Sequence, residues 1–210
     1  MIRIARKAEP SDFDAKVRRP GLSYLKGLAA GEKPNWSGHS YWRKAKEDMI
    51  NAYKGICAYA CCEITPSGSA EIDHFQPKSR YWQEAYEWKN FRLCSSNINK
   101  KKRDHDVLDP FTVRDWTFGI VLATGRMVKL KKYDPSYEAL CDKTVKILGL
   151  NEHAYTRMRN DILDEYLRGE ITISNLQRRN PFVYSEVQRL HVIQKSTETP
   201  LTMESLREQI

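Results

Sequence analysis

An α+β fold, helical at both ends with short strands between, is what the sequence predicts, and three patterns predict it. Tyr41, Ala45, Met49, Ile50 and Tyr53 recur at helical spacing in the N-terminal quarter. From 56 to 73, and again from 112 to 133, the chain breaks into short segments bounded by turn residues. Beyond Pro135 the helical period returns in two stripes, Tyr137, Leu140, Cys141, Thr144, Val145 and Leu148, then Tyr155, Met158, Ile162, Leu163 and Tyr166.

Each element follows from local chemistry. Helices are expected over 12–30 and 40–54, separated by the breaker-rich segment 31–38, with Ser40 as N-cap and Gly55 closing the second. The turn residues Thr65 to Ser69 point to a hairpin within 56–73 whose second arm is Ala70-Glu71-Ile72-Asp73. Pro77 cannot donate to a strand ladder, so that arm should end near His74. Ser95 or Ser96 is placed to cap a helix carrying Lys100 to Arg103. Strands follow over 112–133, with turns at Gly119 and Gly125, then helices ending at Gly149, spanning 155–166, and covering 183–195. The expected organisation is a basic helical segment at 1–54, a core at 55–111, and short strands followed by helices at 112–210.

Composition narrows the function. The chain has 35 Lys and Arg against 27 Asp and Glu, a formal charge of +8. Residues 1–56 hold twelve basic and six acidic side chains, whereas 57–110 hold eight of each. Such a bias favours a polyanionic partner, because each neutralised phosphate releases counterions. With 40% hydrophobic and 10% aromatic residues the chain has the material for a packed core. No apolar run approaches the roughly 20 residues of a membrane-spanning helix. Met1 to Lys7 carries charge with no apolar stretch behind it, so a cytoplasmic location is expected. Five cysteines, an odd number, argue against a disulfide framework.

The chemistry concentrates in 70–101. Phosphodiester hydrolysis needs a base for water, a cation for developing charge, and groups that hold both in line. Asp73 and His74, adjacent at the expected end of a strand, are a ligand and a base that would share a site there. Asn97 lies one turn before Lys100 and Lys101 on the expected helix. Oxygen donors from Asp and Asn suit Mg²⁺ or Mn²⁺ better than zinc.

Four stretches resemble the HNH endonuclease family: Ile72-Asp73-His74-Phe75-Gln76-Pro77-Lys78-Ser79, Glu87-Trp88-Lys89-Asn90-Phe91-Arg92-Leu93, Asn97-Ile98-Asn99-Lys100, and Val107-Leu108-Asp109-Pro110-Phe111. Thr144 to Asn151, followed by Arg157, is similar to the helical tail of the HNH nucleases of Septu and retron anti-phage defence systems. The resemblance implies a ββα-metal core flanked by the N-terminal helices and a C-terminal helical region. It implies His74 as the general base, Asp73 as a metal ligand, Asn90 as the residue that restrains the loop and orients the base, and Asn97 as a catalytic second metal ligand. Lys100, with Lys101 as the alternative, would touch the substrate phosphate. The implied cofactor is Mg²⁺ or Mn²⁺, and the implied activity is endonucleolytic hydrolysis of DNA or tRNA leaving a 5′-phosphate. The implied partners are nucleic acid, a large ATPase subunit, and a retron reverse transcriptase with its RNA and DNA. Many family members brace the hairpin with a zinc on two cysteine pairs. Here Cys57 with Cys61 or Cys62 would make one pair and Cys94 stands alone in the other, so a structural zinc on Cys57, Cys61 and Cys94 is the less favoured reading. The competing reading of the whole chain is a nucleic-acid-binding or adaptor subunit whose HNH module no longer cuts.

Overall fold

The computed structural model describes residues 1–65 and 68–195 and shows a mixed α+β architecture with N-terminal helices, two small antiparallel sheets and a C-terminal helical region. The chain divides into two compact units. One comprises Ala5–Ala58 and Ile64–Asp106; the other comprises Met1–Ile4, Tyr59–Glu63 and the chain from Val107 onward. Among the described residues no helix is long and apolar enough to cross a membrane.

In the unit that contains Asp73 and His74, a π-helical turn at Asp14–Arg18 runs into α1, Arg19–Lys26. Phe13, Val17, Gly21 and Leu25 are buried at four-residue intervals, which places them on one face. Phe13 meets Trp88 and Phe91 edge-on at 5.5 and 5.8 Å. Gly21 is where α1 lies against the Tyr86 ring: a Cβ there would stand 2.2 Å from Tyr86 Cγ. A 3₁₀ turn, Tyr41–Ala45, leads into α2, Lys46–Tyr53, and Trp42, Ala45, Met49 and Tyr53 make its buried stripe. Lys54 and Gly55 both take left-handed backbone and end the helix, with Gly55 N–H donating to Ile50 O at 2.9 Å.

The strand pairing differs from the expected hairpin. β1, Ala70–His74, pairs antiparallel with β2, Phe91–Ser95, in the register Ile72↔Leu93, Asp73↔Arg92 and His74↔Phe91. The segment before the Thr65 turn gives β2 one hydrogen bond, Ala58 N–H to Leu93 O at 2.8 Å, and turns back on α2 through Ile64 N–H to Gly55 O. Pro66 and Ser67 of the expected turn lie outside the described residues; β1 pairs instead with Phe91–Ser95, whose residues Phe91 to Cys94 are all buried. β2 passes directly into α3, Ser96–Lys102, whose N-cap is Ser95: its hydroxyl accepts from Ile98 N–H.

In the second unit β3, Phe118–Val121, pairs with β4, Arg126–Lys129. Gly125 turns between them with φ +64°, while Gly119 lies inside β3 rather than at a turn. Among the described residues four helices follow: α4, Pro135–Leu148, α5, His153–Leu167, α6, Ile173–Arg179, and α7, Pro181–Lys195. The short α6 carries only Leu176 fully inside, too weak a stripe to be seen in the sequence. Buried Arg159 of α5 ties the sheet turn to the helices, donating to Gly125 O and Leu150 O at 2.9 and 2.8 Å.

The contact at Gly21 gives a direct check of packing. Gly21→Ala forces the Tyr86 ring from its place and should cost about 1–3 kcal/mol in urea unfolding.

Candidate active site

The site is assembled at the end of β1 by a lysine from the last turn of α3. Lys102 is fully buried, and its ammonium has three protons for three acceptors. It donates to Asp73 Oδ1 at 3.0 Å, to His74 O at 3.0 Å and to Phe75 O at 3.2 Å. Ile98 and Lys102, one helical turn apart, form the inward face of α3, so helix phase delivers the charge to the strand end. The carboxylate beneath it, 3% exposed, has an opposite charge in contact, the condition under which such a charge survives burial.

His74, 7% exposed, is wedged between aromatic rings, with Trp42 edge-on at 4.9 Å and Phe91 at 5.3 Å. Its Nε2 lies 2.9 Å from Ala85 O. A carbonyl only accepts, so Nε2 carries the proton in this bond and the neutral ring keeps its lone pair on Nδ1. Burial pushes the His74 pKa down to about 3; the Ala85 carbonyl opposes the shift, and the charges of Lys78 and Lys102 add to it. The unfolded chain therefore takes up this proton first as pH falls. The ring's contribution to stability is full above pH 6.5 and is lost as pH drops toward 3.

The segment that carries the Ala85 carbonyl is held by Asn90 through the neighbouring Glu84 carbonyl. Asn90 Oδ1 accepts from Gln76 N–H at 2.7 Å, and Nδ2 donates to Gln76 O and Glu84 O, each at 3.1 Å. The Asn90 main chain adds a bond from Phe75 N–H at 2.8 Å. One buried carboxamide thus closes the long connection between β1 and β2 and sets the position of the segment bearing Ala85.

Asp73 and His74 both line a cleft of about 770 Å³ contained within this unit. The cleft runs along β1, and all five of its residues, Ala70 to His74, line it. Asn97 does not join them: it is exposed and is not among the lining residues. At roughly 100° per helical residue, Asn97 and Asn99 flank the inward-facing Ile98 on opposite sides, and Asn99 is the one on the cleft side. Its Nδ2 donates to Glu71 Oε2 at 2.7 Å. Lys100 is exposed and Lys101 half-buried, and neither lines the cleft; the cations that do are Arg43, Lys46, Lys78 and Arg103. Arg43 and Lys46 come from 40–54, where nothing in the sequence connects them with His74. Arg103 follows Asn99 by four residues, a spacing that would have disclosed it once the helix phase was known.

Among the described residues, no group of three or more His, Cys, Asp or Glu side chains is arranged to hold a metal ion. Cys57 and Cys94 are buried cysteines of this unit that form no disulfide, while Cys61 belongs to the other. Burial raises the Cys94 thiol well above its usual pKa. The oxygen side chains lining the cleft, Glu71, Asp73, Ser79, Asn99 and Asp104, are hard donors. They suit a Mg²⁺ or Mn²⁺ ion held by one or two protein oxygens and otherwise by water and phosphate. No protein-family model matches the chain, and no curated protein matches it.

Removing the lysine tests the assembly. Lys102→Met leaves a buried carboxylate and two carbonyls without this partner and should lower stability by about 3–5 kcal/mol in chemical denaturation, whereas a surface ion pair would cost under about 1 kcal/mol.

Proposed function

We propose that this chain is a metal-dependent HNH-type endonuclease that hydrolyses phosphodiester bonds of DNA or tRNA, with β1, β2 and α3 as a ββα-metal core. The observation that carries the reading is His74: a neutral imidazole whose Nε2–H is committed to a carbonyl, in a cleft that also holds a carboxylate and several cations.

In this reading His74 Nδ1 takes the proton from the attacking water. Its pKa of about 3 keeps the ring unprotonated, and the negative charge of a phosphodiester entering the cleft raises it toward the range where base catalysis is efficient. Asn90 acts as a positioning residue through the loop that carries Ala85 O. Arg43, Lys78 and Arg103 receive the charge of the phosphoryl oxygens. Asp73 and Asn99 would hold the divalent cation, which when bound supplies Lewis-acid stabilisation of the phosphoryl and leaving oxygens. The role that the resemblance gives to Asn97 passes to Asn99 on the strength of cleft position. The similarity of Thr144 to Asn151, with Arg157, to the Septu and retron nucleases supports an effector subunit restrained by an ATPase partner. On that account the isolated chain has low activity.

One observation favours the adaptor reading instead: Asp73, the proposed metal ligand, already carries the Lys102 ammonium on Oδ1. Divalent-ion titration separates the two, since an adaptor binds nucleic acid without regard to Mg²⁺ or Mn²⁺ and yields no product.

The decisive assay incubates labelled DNA and tRNA with the protein in Mg²⁺ or Mn²⁺. His74→Ala should reduce cleavage on the order of 10²- to 10⁴-fold, and Asn99→Ala should reduce it more than Asn97→Ala. Undiminished cleavage by His74→Ala would remove the base from the mechanism.

A further inference from the structure

We propose that the cleft accepts a single strand of nucleic acid rather than an intact duplex, an inference that rests on the nuclease reading and names its substrate class. The reacting groups lie on a floor that a duplex does not reach. Asp73 and His74 are 3% and 7% exposed, at the bottom of a cleft of about 770 Å³. That volume falls within the range of small-molecule sites and has room for a nucleotide or two, whereas a duplex would have to ride on the rim with its phosphates held away from Nδ1.

A second depression, of about 650 Å³, continues from the first and shares Trp36, Trp42, Arg43 and Lys78 with it. It runs along Ser37 to Lys44, so the two together make a track from the surface to the imidazole. Both aromatic side chains, Trp36, Tyr41 and Trp42, and cationic ones, Arg43, Lys44 and Lys78, line that track, the combination by which proteins hold unpaired strands: rings stack on bases while cations follow the backbone.

The rings are fixed in advance. Trp36, half-buried, is held by edge contacts to Trp42 at 5.5 Å and Tyr86 at 6.1 Å, so stacking on it would cost little ordering. Lys78 lies 5.4 Å from the centre of the Trp42 ring. Burial lowers its pKa, and Asp73 and Arg43 are the charges that act on it. A strand phosphate at the junction of the two depressions would lie against Lys78 and Arg43, the cations that line both. A duplex keeps its bases stacked inside and has no use for the aromatic wall.

The test is binding, independent of cleavage. Fluorescence anisotropy of full-length His74→Ala is measured with a labelled 12-mer as single-stranded DNA, as single-stranded RNA of the same sequence, and as the DNA duplex. At least one single strand should bind about 10-fold tighter than the duplex, and the ratio between DNA and RNA identifies the sugar. Trp36→Ala in that background should weaken single-strand binding about 10-fold, within the range expected for one stacked base. Arg43→Glu, at an exposed position that does not support the fold, should weaken it comparably. Duplex binding as tight as either single strand, or single-strand binding that both variants leave intact, overturns the inference. Single-strand preference with no cleavage by the wild type would sink the nuclease reading and leave this one standing; cleavage of duplex alone would do the opposite.

Discussion

Three acceptors from three consecutive residues converge on the Lys102 ammonium, and the geometry of the candidate site depends on that convergence. A carboxylate and two carbonyls at a strand end would each be costly to bury alone. Supplied with one donor each, they fix how β1 terminates and where α3 crosses it. Asp73 and His74 lie at the end of β1 where the cleft along that strand meets the Lys102 cluster. Stability and the proposed function therefore draw on the same group.

The imidazole is governed by its surroundings more than by any single partner. Trp42 and Phe91 exclude water, two nearby ammonium groups disfavour a further positive charge, and the Ala85 carbonyl, on a segment that Asn90 holds at Glu84, selects the tautomer. The enclosure and the ammonium groups favour a neutral ring, and the carbonyl, which works against that shift, leaves the lone pair of the neutral ring on Nδ1. A polyanion is the substrate class that would relieve the positive field, which agrees with the surplus of basic residues in the N-terminal part of the chain.

The helical periods at 40–54 and after Pro135 were legible because amphipathic stripes are local, and the cap at Ser95 was legible for the same reason. Strand pairing was not, since it joins residues that sequence separates: β1 found its partner at Phe91–Ser95 across sixteen intervening residues. The site divides along the same line. Asp73, His74 and Asn90 stand out as chemical types next to strands, and the structure brings all three into one hydrogen-bonded arrangement. Asn97 and Asn99 are equivalent in composition and differ only in the phase of a helix whose start is uncertain by a residue or two. Lys102 sits in a run of four basic residues, and nothing in that run marks which one turns inward.

The protonation state of His74 tests the account most directly. Imidazole ¹⁵N shifts recorded as a function of pH should show a neutral ring protonated on Nε2, persisting well below pH 6.5 as its burial requires. A ring that titrates near 6.5, or one that carries its proton on Nδ1, would mean that neither the carbonyl of Ala85 nor the aromatic enclosure holds the base as described.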